Sequence, residues 1–134
     1  MLPRVSAPDV MRRYVYLMRA GDFEAGTRFF AEDIVGYVPG RSALAGELRG
    51  REAVVGYIET ARAFSHGGEV ELELVDMLAS DERVALIVRE TFHTDDGPVV
   101  INRANVYRVR GEQIIEIWIF EGNQYEVDSL LSDA

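Results

Sequence analysis

Residues 103–120 read RANVYRVRGEQIIEIWIF. Two segments rich in β-branched and aromatic residues flank a short turn at Arg110-Gly111, a pattern that predicts a β-hairpin. If Val109 pairs with Glu112, then Asn105 lies opposite residue 116, and directly paired residues share one face of the sheet. A slip of one residue would reverse this sorting on one of the two strands.

The two faces predicted for this hairpin differ in composition. The first is polar and aromatic: Arg103, Asn105, Tyr107, Ile114, Glu116, Trp118 and Phe120. The second is mainly aliphatic: Ala104, Val106, Arg108, Gln113, Ile115, Ile117 and Ile119. A few polar groups among large aromatic rings are typical of a ligand pocket, whereas the aliphatic face is typical of packing. Hydrophobicity by itself would place the isoleucine face inward.

Composition excludes several kinds of chemistry. The chain has 134 residues, which predicts a single domain over residues 1–134 with a substantial core. All 14 basic residues are arginine, so a Schiff-base lysine is excluded. Cysteine is absent, which excludes disulfides, a thiol nucleophile and a thiolate metal site. The net charge of −9 argues against nucleic acid or an anionic membrane as the main partner.

Targeting and metal-binding signals are weak as well. No long apolar segment follows a basic N-terminus and none approaches the length of a membrane span, so we expect a cytoplasmic protein. The two histidines, His66 and His93, have no spacing typical of a metal site, and no glycine-rich phosphate loop is present. We therefore expect neither a metal nor a cofactor.

The order of predicted elements indicates an α+β fold, with helices gathered on one face of a mostly antiparallel sheet. Apolar periodicity and capping signals predict helices over residues 6–20, 22–33, 51–64 and 123–131. Strands are predicted over residues 34–38, 70–78, 83–94, 99–109 and 112–120. Residues 39–50 are rich in glycine and predict a loop, and long loops often line a site.

Six segments of the chain form a recognisable set: RYV at 13–15, AGDF at 20–23, FAED at 30–33, residues 38–54, IEIW at 115–118 and QYEVD at 124–128. This set resembles the SnoaL-like polyketide cyclase branch of the NTF2-like, or ketosteroid isomerase-like, superfamily. The resemblance spans nearly the whole chain. It implies a cone-shaped fold in which a curved, mostly antiparallel sheet and three helices from the N-terminal half enclose an apolar cavity.

The resemblance also implies roles for individual residues. Tyr14 matches the tyrosine on the first helix that donates to the oxyanion in ketosteroid isomerases, and Asn105 matches the protonated aspartate beside it. An amide can still donate a hydrogen bond there. The general base of those enzymes matches Val38, which cannot take a proton. Residues 89–91 (RET) and Phe120 stand where limonene epoxide hydrolases carry their catalytic acids, so both catalytic sets are incomplete in this chain.

Glu116 is then the leading candidate for moving a proton, because the predicted register places it opposite Asn105. An ion pair with an arginine would explain it equally well. His93 is a second acid/base candidate, although it adjoins a turn. Further candidates for lining the pocket are Tyr37, Val38, Tyr57, Arg89, Arg103, Tyr107, Trp118 and Phe120, and core packing also explains their aromatic members.

Three functions fit these features. The first is a cofactor-free acid/base enzyme that cyclises or isomerises a small apolar carbonyl or polyketide-like compound through an enolate. Tyr14 and Asn105 would then hold the oxyanion and Glu116 would move the proton. The second is a domain that binds an apolar ligand without catalysis. The third is an interaction module whose aliphatic sheet face, residues 106, 115, 117 and 119, forms a homodimer, which is compatible with either of the others.

Overall fold

The computed structural model describes residues 5–132 and has the predicted α+β architecture. The helices are α1 (Ala7–Arg19), α2 (Phe23–Thr27), α3 (Arg51–Arg62) and α4 (Gln124–Leu130), with a 3₁₀ turn at His66–Gly68. The strands are β1 (Phe30–Val38), β2 (Gly46–Arg49), β3 (Val70–Ala79), β4 (Arg83–Thr94), β5 (Gly97–Arg110) and β6 (Gln113–Glu121).

The strands form one sheet in the order β2-β1-β6-β5-β4-β3. β1 runs parallel to β6, and every other neighbouring pair is antiparallel, which confirms the mostly antiparallel sheet. The register shifts between Leu74 and Asp76 on β3, and between Ile114 and Glu116 on β6. Such bulges bend a strand and increase its twist, which helps the sheet to curve around the helices.

Helix α1 packs on the concave face of the sheet through an apolar stripe. Ser6 caps its N-terminus, since the Ser6 side chain accepts a hydrogen bond from the backbone N–H of Asp9, and Pro8 occupies the first turn. Four of its residues at helical spacing are buried: Val10, Met11, Tyr14 and Val15. They join buried residues of β1, β4, β5 and β6 in the main core.

Two predictions around β1 are wrong. Residues 30–33 open this strand instead of closing a helix, because Phe30 pairs with Ile114 of β6 and its side chain is fully buried. Pairing within the sheet overrides local helix preference here. Within the predicted loop, residues 46–49 form β2, which pairs antiparallel with the end of β1. Gly50, with φ of +95°, turns the chain from β2 into α3.

The last hairpin forms where it is predicted, but its register is different. The turn begins one residue later, and Val109 pairs with Ile114. One step further along, Arg108 pairs with Glu116, so Ile115 is an extra residue on β6. Because side chains alternate along a strand, this bulge reverses the face of every later residue of β6 relative to the prediction.

The bulge decides which residues of the hairpin face the helices. The concave face carries Arg103, Asn105 and Tyr107 of β5 beside Glu121, Ile119 and Ile117 of β6. The opposite, convex face carries Glu116, Trp118 and Phe120. The predicted assignment of residues 116–120 to the two faces is therefore wrong, and so is the predicted dimer surface, since Ile117 and Ile119 point toward the helices.

Helix α4 covers the end of β4 and β5. Val127 and Leu131 are buried against Phe92 and Ile101 in a second, smaller core. The Asp128 side chain accepts a hydrogen bond of 3.0 Å from the backbone N–H of residue 41, which ties α4 to the loop after β1. Among the helices of residues 5–132, none is both long and apolar enough to cross a membrane.

Candidate functional site

A cavity of about 160 Å³ lies between the concave face of the sheet and helices α1 and α3. Most of its wall is apolar, and its aliphatic and aromatic residues include Met18, Leu72, Leu86, Val88, Phe92, Ile117 and Ile119. A small set of polar side chains interrupts this wall: Tyr14, Tyr57, Arg62, Glu90, Arg103, Asn105 and Tyr107. A mainly apolar cavity with a few convergent polar groups is the usual form of a small-molecule site.

Tyr14 and Tyr107 form the first polar pair of the cavity. Tyr14 projects from α1, Tyr107 projects from β5, and their ring centroids are 5.8 Å apart. Burial raises the pKa of both phenols, and the negative charge of Glu90 raises it further. Hydrogen bonds from Asn105 and Tyr14 partly offset this shift in the pKa of Tyr107. Both phenols are therefore neutral at physiological pH and can donate hydrogen bonds.

Asn105 lies beside this pair on β5. Its side chain is only 9% exposed, and its cross-strand neighbours are Leu86 of β4 and Ile119 of β6. Its Oδ1 is buried without a hydrogen-bond partner in the part of the chain that the structure describes. A buried amide needs partners, so this oxygen has capacity left for a ligand in the cavity.

Arg103 forms a buried ionic cluster with two carboxylates. Its Nε and Nη2 atoms lie 2.8 and 3.0 Å from the two carboxylate oxygens of Glu121, and its Nη1 lies 3.5 Å from Glu90 Oε2. The side chains of Arg103 and Glu121 are 8% and 2% exposed. Burial raises the pKa of Glu121, while the charge of Arg103 opposes that rise. Burial likewise raises the pKa of Tyr57, and Arg103 again opposes the shift.

Glu90 is the carboxylate of this cluster that borders the cavity. It belongs to the inward-facing positions of β4, and its side chain is 17% exposed. Its only contact to Arg103 is long, so its oxygens remain available to accept a proton or a hydrogen bond from a ligand. The sequence contains a signal for an inward-facing acid at this position, which comparison with the catalytic residues of the resembling families does not use. Glu90 interrupts the alternating apolar positions Val84, Leu86, Val88 and Phe92.

Glu116, the leading acid/base candidate from the sequence, lies outside the cavity. It is on the convex face, where its carboxylate accepts hydrogen bonds from Arg108 at 3.1 Å and from Trp118 Nε1 at 3.2 Å. The prediction that it faces Asn105 is wrong because of the bulge at Ile115. The predicted pocket residues Trp118 and Phe120 are also on the convex face, with 39% and 54% exposure.

The remaining candidates divide between the two faces. Tyr57 and Val38 line the cavity, and Tyr37 borders it while its ring stacks on Trp118 at 3.9 Å. Arg89 points to the convex side, where it contacts Glu73 at 2.9 Å and Asn102 at 3.1 Å. His93 also lies outside the cavity, with its Nε2 3.5 Å from Glu71 Oε1.

Comparison with known proteins agrees with this fold. The sequence pattern described as a SnoaL-like domain matches residues 11–117. The chain belongs to the SnoaL-like family. It is 30% identical over 123 residues to the uncharacterised protein Rv0034 of Mycobacterium tuberculosis and to Mb0035 of Mycobacterium bovis, with 90% of this chain and 92% of each relative covered.

Two solved structures show the same fold. Bal32a, from a soil-derived mobile gene cassette, superposes with a TM-score of 0.84 and 26% identity, over 92% of this chain and 95% of its own. A protein of cystatin-like fold from Xanthomonas campestris has a TM-score of 0.85 and 19% identity, over 95% and 98% of the two chains. Membership of the SnoaL-like family supports a small-molecule-binding or isomerase-like domain and specifies neither a reaction nor a substrate.

Proposed function

We propose that this SnoaL-like protein is a cofactor-free acid/base enzyme that isomerises or cyclises a small apolar carbonyl compound through an enolate. The observation that carries the proposal is the pairing of two neutral phenols with one accessible carboxylate in a mainly apolar cavity. Apolar surroundings strengthen electrostatic interactions with a charge that develops in the cavity.

The proposed reaction moves one proton. Glu90 accepts a proton from the carbon next to the carbonyl group, and the electron pair of the broken C–H bond moves onto the carbonyl oxygen. The hydroxyl groups of Tyr107 and Tyr14 donate hydrogen bonds to this oxyanion. Asn105 lines the same cavity beside Tyr107 on β5, and we propose that its amide group polarises the Tyr107 hydroxyl group. Protonated Glu90 then returns the proton at another carbon of the enolate. Alternatively, the enolate carbon attacks a second carbonyl group of the same molecule, the π electron pair of that group moves onto its oxygen, and protonated Glu90 gives its proton to this alkoxide.

The size of the cavity supports a small substrate. An engineered protein cavity of roughly 150 Å³ holds a benzene molecule, and the cavity here has about 160 Å³. We therefore propose a compound of about one ring, rather than the multi-ring polyketides that the family name suggests.

Deuterium exchange tests the proposal without knowledge of the natural substrate. A panel of cyclic ketones such as cyclohexanone and 2-cyclohexenone is incubated with the protein in D₂O, and loss of the α-proton signal is followed by NMR. Glu90→Gln should slow the enzyme-dependent exchange by roughly a hundredfold or more, the usual contribution of a positioned proton acceptor. Glu116→Gln is the matched control, because Glu116 is on the convex face, and should leave the exchange rate unchanged. Equal rates in the two variants would refute the role of Glu90.

A non-catalytic binding function has one observation in its favour. Val38, which lines the cavity, stands where ketosteroid isomerases carry their base, so a proton acceptor is missing from that strand. On this alternative the protein binds members of the ketone panel and accelerates no exchange. Mass spectrometry of compounds extracted from the purified protein would then show a bound apolar molecule that incubation leaves unchanged.

We also propose that the convex face of the sheet forms a homodimer. Paired residues make a largely apolar row across five strands: Leu78, Ala85, Val106, Trp118 and Tyr37. Phe120 adds a 54% exposed ring in the next row. Contiguous exposed apolar surface of this kind usually marks association, and a second copy would supply an equally apolar surface.

A further inference from the structure

The strongest unexplained feature of the cavity is the side-chain oxygen of Asn105. Only 9% of the surface of Asn105 is exposed, and the residue lines the cavity. Its Oδ1 has no hydrogen-bond partner within residues 5–132. The unused half of the amide is therefore an acceptor, and only a ligand with a hydrogen-bond donor can use it.

The surroundings of this oxygen favour a neutral donor. Leu86 and Ile119 flank Asn105 on the neighbouring strands, and both line the cavity. Bringing an unpaired ion into such surroundings costs far more than bringing in a hydroxyl group. A cation would instead be held by the carboxylate of Glu90, which lies toward the other end of the inward-facing row.

We propose that Asn105 selects a one-ring compound that carries a hydroxyl group, and that this hydroxyl donates to Asn105 Oδ1. The inference rests on the proposed function and extends it: the substrate is a hydroxylated cyclic carbonyl compound, with its carbonyl oxygen on Tyr107 and Tyr14 and its hydroxyl on Asn105. Phenol is the smallest probe with the required ring and donor. Toluene has nearly the same shape without a polar group, and anisole has an oxygen but no donor.

Calorimetric titration of the full chain with these three probes tests the proposal. The wild-type protein should bind phenol about tenfold more tightly than toluene or anisole, because a hydrogen bond to a buried acceptor is worth about that ratio. In Asn105→Leu the ratio of the affinities for phenol and toluene should fall to about one, because phenol binding weakens while toluene binding is retained. Asn102→Leu is the matched control: Asn102 is on the same strand with its side chain on the convex side, bonded to Arg89, and the preference should persist.

Several outcomes would overturn the proposal. Equal affinities of the wild type for phenol and toluene would do so, and so would an unchanged preference for phenol over toluene in Asn105→Leu. Tighter binding of benzylammonium than of phenol would assign the polar contact to Glu90 instead. If Asn105→Leu does not fold, the affinities of the wild type for phenol, anisole and toluene test the proposal. Anisole, which has no donor, must then bind as weakly as toluene, and binding of anisole as tight as that of phenol would contradict the proposal. These binding results are separate from the exchange test with Glu90→Gln, so either idea can fail while the other stands.

Discussion

Replacing Arg103 with methionine should destabilise the protein severely. Arg103 is 8% exposed and lies within 3.5 Å of Glu90 and Glu121, of which Glu121 is 2% exposed. Arg103→Met keeps much of the side-chain volume but leaves two carboxylates in an apolar region without their cation. Breaking a buried ion pair in this way costs about 3–5 kcal/mol. For a chain of this size that corresponds to a melting temperature lower by about 10–20 °C.

The loss should also depend on pH in a defined direction. Burial raises the pKa of Glu121 in the wild type, against the opposing charge of Arg103. A carboxyl with a raised pKa in the folded state contributes stability below its unfolded pKa of about 4.3, and this is lost as pH rises through the folded pKa. Without Arg103 the pKa of Glu121 rises further. The deficit of Arg103→Met should therefore be smaller at pH 5 than at pH 7.5.

Urea denaturation followed by circular dichroism at the two pH values measures both effects. Arg89→Met is the matched control, because Arg89 forms a half-exposed ion pair with Glu73 on the convex face. Exposed pairs contribute about 0–1 kcal/mol. If Arg103→Met loses no more stability than Arg89→Met, or if its deficit is the same at both pH values, the buried cluster does not stabilise the fold as we argue.

Two further predictions follow from the faces of the sheet. Tyr107→Phe should lower the rate of ketone proton exchange by about a hundredfold, the usual effect of losing one oxyanion donor, while its affinity for the apolar probe toluene stays within about threefold. The control Tyr16→Phe, at a 73% exposed position, should change neither the rate nor the affinity. An unaltered exchange rate in Tyr107→Phe would exclude that hydroxyl group as a donor. Trp118→Arg should convert the proposed dimer to a monomer in light scattering at micromolar concentration, because it places a charge in the apolar row. Tyr125→Arg, at a 90% exposed position on α4, is the control and should leave the dimer intact. A wild-type protein that is itself monomeric would refute the dimer.

Local signals in the sequence were sufficient for most of the fold. The Ser6 cap, Pro8 and the apolar spacing of α1 predict a helix that starts within one residue of its observed position. The turn residues on either side of β4 predict its bounds at 83 and 94 correctly. Predictions fail where pairing between distant segments decides the outcome. Residues 46–49 are a strand only because the end of β1 lies beside them.

The register of the last hairpin could not be predicted, because apolar residues occur on both faces of β6 and the hydrophobic pattern fits either register. Ile114, Ile115, Ile117 and Ile119 place apolar side chains on each side of β6, so neither register leaves the inward face polar. A bulge at Ile115 then costs little hydrophobic burial and exchanges Glu116 for Glu121 on the concave face. The position of the bulge depends on the fit of β6 against both β1 and β5, which no local pattern records.

In the proposed mechanism, the contacts around Arg103 leave Glu90 as the base of a mainly apolar cavity. Glu121 is the more deeply buried acid and lies within 3.0 Å of the guanidinium through both of its oxygens. The charges of Glu90 and Glu121 both compensate the charge of Arg103. Glu90, at 3.5 Å and bordering the cavity, is held near a positive charge without a close bidentate pair. A carboxylate in that position can be kept in place by Arg103 and still accept a proton from a bound molecule. Under the proposed function, Glu90 on β4 takes the role that the resemblance to ketosteroid isomerases assigns to the position of Val38 on β1.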